Sequence, residues 1–202
     1  MAYSSIAQIG YILIGLALAS PEGISASIFY LIVYSTMNLG AFLCIIAFGN
    51  EANSDLINDY SGLAKKRPLL AFAFCICLFN LAGLPIPPSG FIAKFILFKT
   101  SFEAGLIGII LGSIALITTI LSIYYYSYIA KLMLVNEPSN VVLEIDKNKE
   151  SLGKSSELNA AIGIVVCAIF IVSIISNPIL KLSSKTAFGI SGTSHLIGYL
   201  PK

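Results

Sequence analysis

One charged side chain, Lys94, lies deep within an apolar segment of this 202-residue sequence. It follows a stretch that contains Pro85, Pro87 and Pro88 and closes at Gly90. Three prolines in four residues cannot continue a helix, because each lacks an amide donor and its ring clashes with the preceding turn. The carbonyls and amides freed by such a break are tolerated inside a membrane only where they line a cavity or the protein interior. The lysine and the proline hinge therefore predict one site.

The chemistry expected of Lys94 is proton transfer. A charge within hydrocarbon costs at least ~2.5–3.5 kcal/mol, so ionisable residues at that depth tend to mark ion or proton pathways. Because desolvation disfavours the ammonium form, such a lysine can load and release a proton. The alternative is a lysine near a helix end whose ammonium reaches the interface. Lys99 fits that alternative better than Lys94 does, and it is expected to pair with Glu103 one turn further on.

Other polar residues of the apolar segments are candidates for the same relay. Each has a second interpretation. Asn38 and Asn80 could instead make interhelical contacts, and so could the polar residues at the start of the chain. Lys131 could instead anchor a helix end, where a cation suits the dipole. A run of tyrosines at 124, 125, 126 and 128 predicts an aromatic girdle at the membrane interface. The relay candidates are Asn38, Asn80, Lys131, Ser4, Ser5 and Gln8.

The composition predicts a membrane protein. Hydrophobic residues make up 57% of the chain and charged residues only 11%, against about 25% charged residues in soluble domains. The mean hydropathy is +0.90. Residues 23–49, 105–130 and 158–180 contain no charge, and each stretch exceeds the roughly 20 residues that a helix needs to cross a bilayer.

We predict an all-α, polytopic transmembrane bundle over residues 1–180, with a C-terminal tail at 181–202 that is interfacial or loosely ordered. The third crossing is expected to be discontinuous, with two half-helices around the proline stretch; two separate short spans are the alternative. The five predicted crossings are 4–19, 24–48, 68–84 with 90–103, 105–134 and 157–176.

This topology places the N-terminus and the loops 49–67 and 136–156 on one side. The basic run at 65–67 makes that side cytoplasmic, stromal or matrix-facing by the positive-inside rule. Lys181 and Lys185 on the opposite side weaken the assignment. With a net charge of only +2, the chain has no basic stripe of the kind that binds nucleic acid.

No metal or cofactor site is predicted on this chain. Cys75 and Cys77 are two residues apart, which separates them by about 200° around a helix, so they are expected to pack rather than to bind metal. The sequence also has no glycine-rich nucleotide loop after a strand and no nucleophile–base pair.

Several segments resemble the antiporter-like, proton-translocating subunits of complex I-type NAD(P)H–quinone oxidoreductases, and in particular subunit 2 of plastids and cyanobacteria. The resemblance covers about residues 2–126. The segments are AYSSIAQIGY at 2–11, MNLGAF at 37–42, DYSGL at 59–63, the proline–lysine motif at 83–95 and SIYYY at 122–126.

The resemblance implies the second half of a fold of antiparallel helix repeats, with Lys94 as the functional lysine of its broken helix. It implies a non-redox subunit that pumps protons while quinone is reduced elsewhere. Quinone, NAD(P)H or ferredoxin, and iron–sulfur clusters are then expected in other subunits. A chloroplast or cyanobacterial thylakoid is the favoured location, with the mitochondrial inner membrane or a bacterial plasma membrane as alternatives.

The chain departs from the family pattern in two places. Its proline stretch has one residue more than the family motif, and its first residues lie within a motif that family members carry in mid-chain. We therefore expect a separate chain to supply the N-terminal half, alongside other membrane-arm subunits and lipids. Where Asn38 lies, sister subunits often have a lysine, so the middle of the relay is expected to use water and amide groups. A multi-subunit cation/proton antiporter and a non-pumping membrane scaffold are the alternative functions.

Overall fold

The computed structural model describes residues 1–54, 56–145 and 156–197 of the chain. All regular elements in these ranges are helical, which confirms the predicted all-α fold class. A short 3-10 helix at Ile57–Tyr60 lies between the second and third of the α-helices. The α-helices are α1 Ala2–Ala17, α2 Pro21–Ala52, α3 Leu63–Lys66, α4 Pro68–Ala82, α5 Ser89–Glu103, α6 Leu106–Leu134, α7 Asn140–Ile145, α8 Ser156–Ile174 and α9 Ser176–Ile197.

Three of the described helices, α2, α6 and α8, are long and apolar enough to cross a membrane. The longest, α2, has 32 residues. It begins at Pro21, where the Ser20 hydroxyl accepts a hydrogen bond from the Gly23 amide at 3.0 Å and so caps the first turn. It ends where Asn53 adopts the left-handed conformation, with φ of 49°. The chain is an integral membrane protein.

Helix α2 is the centre of the bundle and packs against α1, α4, α5, α8 and α9. Its buried face holds large side chains such as Phe29, Tyr30 and Met37. At Gly40 the neighbouring helices come close: a Cβ there would lie 2.7 Å from Cys77 Sγ and 3.0 Å from Val165 Cγ1. A small residue at this contact lets the helices approach, as in other membrane bundles.

The C-terminal tail, predicted to be interfacial or loosely ordered, forms helix α9 from Ser176 to Ile197 in its described part. Ser183 and Ala187, one turn apart, are buried, whereas Lys181 and Lys185 are exposed. The two lysines belong to the outer face of an amphipathic helix that packs on α2. Residues 198–202 lie outside the described residues.

One end of the bundle, the loop face, is where α1 begins and where α2 and α6 end. The predicted loop 49–67 is more ordered than expected, because α2 continues into it and α3 lies within it. The Gly62 amide donates to the Leu132 carbonyl at 2.9 Å, which ties the segment to the end of α6. Part of the predicted loop 136–156 is helix α7, and residues 146–155 lie outside the described residues.

Candidate functional site at a broken helix

The proline stretch separates α4 from α5. Helix α4 ends at Ala82, followed by Gly83 with φ of 84°, and α5 begins at Ser89. The non-helical connection thus covers residues 83–88, close to the break predicted between the half-helices 68–84 and 90–103. Each half has 15 residues and rises about 22 Å, which is short of the ~30 Å hydrocarbon core. These lengths favour one crossing made of two halves.

Asn80 joins the two halves across the break. Its Oδ1 accepts from the Gly90 amide at 2.6 Å, and its Nδ2 donates to Ser89 Oγ at 2.9 Å. Helix α5 has no side-chain cap of its own, since Pro88 occupies the capping position. The asparagine therefore caps α5 from α4. Its predicted role in a proton relay stays a prediction.

Lys94 lies one turn inside α5 and is 3% exposed. Its Nζ donates to the Leu81 carbonyl at 2.9 Å and to the Ala82 carbonyl at 3.1 Å. These carbonyls end α4, where the helix dipole attracts a cation. The ammonium also lies 5.1 Å from the centre of the Tyr11 ring, within the range of a cation–π contact.

The position of Lys94 argues against a lysine that reaches the interface, because its ammonium points into the break. Ion pairs among the described residues include Lys65–Glu137, Arg67–Glu51 and Lys99–Glu103, and none of these three involves Lys94. The last of these confirms the predicted pair on α5. Its distance is 4.0 Å and both side chains are more than 60% exposed, so it contributes little to stability.

Gln8 on α1 connects the broken helix to a buried polar cluster. Its Nε2 donates to the Leu81 carbonyl at 3.2 Å, so Gln8 and Lys94 share one acceptor. The same Nε2 lies 3.5 Å from Tyr126 Oη, while the Tyr30 hydroxyl donates to Gln8 Oε1. Tyr126 in turn is hydrogen-bonded to Ser4. We call Ser4, Gln8, Tyr30 and Tyr126 the Gln8 cluster; all four are buried.

The structure brings Gln8 and Asn80 to the break and joins Ser4 to the Gln8 cluster through Tyr126, but it leaves three predicted relay residues apart. Lys131 is exposed in the last turn of α6, whereas Ser5 and Asn38 are half-buried. Among the described side chains, none of these three is hydrogen-bonded to Lys94 or to the Gln8 cluster.

The predicted aromatic girdle is wrong for Tyr126. Tyr124 and Tyr128 are 76% and 48% exposed, but Tyr126 is fully buried. A step of two residues turns a helix by about 200°, so Tyr126 lies on the opposite face. It shares that face with the buried Thr119 and Ser122, at helical spacings of seven and four. The spacing of these small polar residues on one helix face is the sequence pattern that could have indicated an inward-facing Tyr126.

A polytopic helical membrane protein with a buried lysine beside a broken helix is the class that this fold and site define. The chain belongs to the family of transmembrane proteins described as NADH:quinone oxidoreductase/Mrp antiporter. The sequence model of that family matches residues 1–122 of the chain. This confirms the family resemblance of the sequence motifs.

Similar proteins come from cyanobacteria and a chloroplast. The chain is 40% identical over 199 residues to NAD(P)H-quinone oxidoreductase subunit 2 of Synechococcus elongatus, covering 97% of this chain and 37% of that protein. It is 38% identical to the chloroplastic subunit 2 of Chlorokybus atmophyticus, covering 92% and 36%. The chain thus spans little more than a third of these relatives, and the expected separate chain for the first half stays a prediction.

The fold is also similar to that of a solved assembly. A chain in the structure of the Mrp complex from Dietzia sp. aligns with a TM-score of 0.78 and 27% sequence identity. The alignment covers 92% of this chain and 41% of that one.

Proposed function

We propose that this chain is the proton-translocating part of a membrane-arm subunit of an NAD(P)H–quinone oxidoreductase, with Lys94 as the proton-loading residue. The observation that supports it most is the burial of the Lys94 ammonium against main-chain carbonyls at the break. A charge held by dipoles rather than by a carboxylate can be gained and lost without leaving a second buried charge unpaired.

The neutral amine of Lys94 would take up a proton, the resulting ammonium would be held by the Leu81 and Ala82 carbonyls, and the proton would be released when these two contacts are lost. The similarity to subunit 2 proteins supports a complex in which quinone is reduced by other subunits. Those subunits would hold NAD(P)H or ferredoxin, quinone and iron–sulfur clusters, and this chain would contribute no redox group. The cyanobacterial and chloroplastic relatives support a thylakoid membrane as its location.

A second candidate is a subunit of a multi-subunit cation/proton antiporter. The structural similarity to the Mrp complex favours it, since the same fold is found there. The two differ in their driving force: quinone reduction in one, a cation gradient in the other. A non-pumping scaffold would need no titrating lysine at all.

The test is Lys94→Met in the assembled complex, with Lys99→Met as the matched control on the same helix. Lys99 is exposed and five residues away. Proton uptake by membrane vesicles is followed with a pH-sensitive dye while quinone reduction is measured in parallel. We expect Lys94→Met to lower proton translocation by at least ~10-fold and Lys99→Met to leave it near the native rate.

Normal pumping in an assembled Lys94→Met complex would refute the proposal and favour the scaffold. Proton movement that follows an imposed sodium gradient, without quinone reduction, would favour the antiporter. The identity of the chains that co-purify with this one distinguishes the same two cases independently.

A further inference from the structure

We propose that a groove at the end of the bundle opposite the loop face binds the headgroup of a neutral glycolipid. The groove lies between the start of α2, the end of α5 and the first half of α9, and we call it the α9 groove. It does not include Lys94, and the inference is independent of proton translocation. The polar residues that line it are Glu22, Ser25, Thr100, Lys181 and Ser184.

The first observation is the position of the α9 groove at the membrane surface. Helix α2 begins at Pro21, α5 ends at Glu103 and α6 begins at Leu106, so these helix ends mark one face of the bundle. Thr100 lies in the last turn of α5, and Ile96, which also lines the groove, lies one turn deeper. The groove therefore extends from the interface toward the hydrocarbon.

The size and the lining of the groove suit a lipid headgroup. Its volume is about 300 Å³, which is at the lower end of the range for small-molecule sites. Most of its surface is apolar, with Ile96, Leu180 and Phe188 among the lining residues. A site of this size would hold a headgroup and leave the acyl chains in the bilayer.

Two hydroxyls in the groove lack the hydrogen bond that such groups commonly make in a membrane helix. Serine and threonine often donate to the carbonyl one turn back, as Ser35, Ser113 and Ser183 do here at 2.8, 2.7 and 3.0 Å. Ser25 is buried and Thr100 is half-buried, yet neither hydroxyl has a hydrogen-bond partner among the described residues. Because buried polar groups are generally paired, these hydroxyls indicate a polar ligand in the groove.

Glu22 and Lys181 give the groove one negative and one positive charge. Both side chains are exposed, and within the described part of the chain neither belongs to an ion pair. The two charges cancel, so the groove does not favour an anionic ligand. The phosphate of any phospholipid would be attracted by the lysine but repelled by the carboxylate.

A sugar headgroup matches this set of side chains. Glu22 can only accept hydrogen bonds and Lys181 can only donate them, whereas each hydroxyl of a sugar can do both. Hydrogen bonds to the two charged groups are about twice as strong as those between neutral groups. Ser25 and Thr100 would complete the contacts. Helix α9 packs mainly on α2, so a headgroup in the groove would also connect it to α5.

The first experiment labels the groove in the assembled complex. The complex is reconstituted in phosphatidylcholine vesicles that contain a small fraction of monogalactosyldiacylglycerol with a diazirine in its acyl chain. After irradiation, the labelled peptides are identified by mass spectrometry. A diazirine phosphatidylcholine with the same chains reports lipid that merely surrounds the protein. We expect the galactolipid to label the peptides around Ile96 and Leu180 several-fold more than the reference lipid does.

Variants then test the side chains, with matched controls on α9. We expect Lys181→Met to lower this labelling by about 10-fold, the factor expected for a lost hydrogen bond to a charged group. Lys185→Met removes an exposed lysine one turn further on and should label as native. Thr100→Val should lower labelling at least ~2-fold, whereas Thr186→Val should not, because that hydroxyl already donates to the Leu182 carbonyl at 3.0 Å. Native gel electrophoresis confirms that each variant assembles.

Equal labelling of the groove by the two diazirine lipids would mean that only surrounding lipid is present, and it would overturn the proposal. So would unchanged labelling in Lys181→Met and Thr100→Val. Competition decides the headgroup class: unlabelled galactolipid should displace the probe. Displacement by phosphatidylglycerol or phosphatidylethanolamine at the same concentration, but not by galactolipid, would show that the site binds a phosphate and that the proposed glycolipid is wrong.

Discussion

Gly83 is the residue whose replacement tests the geometry of the Lys94 site most directly. It follows the last turn of α4 with φ of 84° and lies against the lysine stem. In Gly83→Ala the new Cβ would lie 2.8 Å from Lys94 Cδ and 3.5 Å from its Nζ. We expect this variant to assemble but to lose most of its coupled proton translocation.

The magnitude follows from the distances. Ordinary carbon contacts begin near ~3.4–4.0 Å, so Lys94 Cδ must move by about 1 Å. Its Nζ bonds to Leu81 and Ala82 are 2.9 and 3.1 Å long, and such a shift would stretch them beyond hydrogen-bonding range. A misplacement of ~1 Å at a reacting group can cost about 100-fold in rate. The left-handed conformation adds a stability cost of roughly 1–2 kcal/mol for alanine.

Gly105→Ala separates the two effects. Gly105 also has a positive φ, 85°, but a Cβ there would meet nothing within 4 Å. This control therefore carries backbone strain without any contact with Lys94, and it should lower thermal stability while the assembled fraction pumps normally. Assembly is followed by native gel electrophoresis, stability by thermal unfolding, and coupling by the ratio of protons moved to quinone reduced. A Gly83→Ala complex with a native ratio, or a Gly105→Ala complex with an equal loss, would show the reasoning to be wrong.

Two further predictions concern the residues around Lys94. Replacing Tyr11 by alanine removes the ring that lies 5.1 Å from the Lys94 ammonium, so Tyr11→Ala vesicles should dissipate an imposed pH gradient faster than native vesicles. Tyr11→Phe retains the ring and should behave as native. An unchanged leak in Tyr11→Ala would contradict this. Asn80→Leu removes the cap of α5 and leaves the Gly90 amide unsatisfied, at a cost of about 1–3 kcal/mol, which should lower the unfolding temperature. Asn80→Asp retains the acceptor and should recover part of the lost stability. Equal losses of stability in both variants would argue against the cap.

Lys94 and the break could be predicted because their signals are local. Proline excludes helix whatever surrounds it, and an isolated lysine in an apolar segment is unusual in any fold. The acceptors at Leu81 and Ala82 were not predictable in the same way, because they are main-chain atoms and no residue type marks them. Their availability follows from where α4 ends, which is a property of the folded backbone.

Tyr126 and α9 show what the sequence alone did not specify. Tyr126 meets Ser4 across 122 positions in the chain, and a run of adjacent tyrosines does not indicate which of them turns inward. The segment of α9 beyond residue 180 was predicted as an interfacial or loosely ordered tail, whereas the structure forms a helix there with Lys181 and Lys185 on its exposed face. In both cases tertiary packing on α1 or α2 decided the outcome.

The hydrogen bonds from Lys94 to the Leu81 and Ala82 carbonyls have a consequence for how the site tolerates sequence change. Its acceptors are peptide carbonyls, so no side-chain replacement at Leu81 or Ala82 can delete them. These two positions are fully buried, and substitutions there are constrained by volume rather than by chemistry. Gly83 and Lys94 offer no such freedom, since one must lack a side chain and the other must supply the ammonium. A mutational scan through the break would thus find tolerant and intolerant positions side by side. The tolerant positions, Leu81 and Ala82, would be the ones whose main-chain carbonyls bind the Lys94 ammonium.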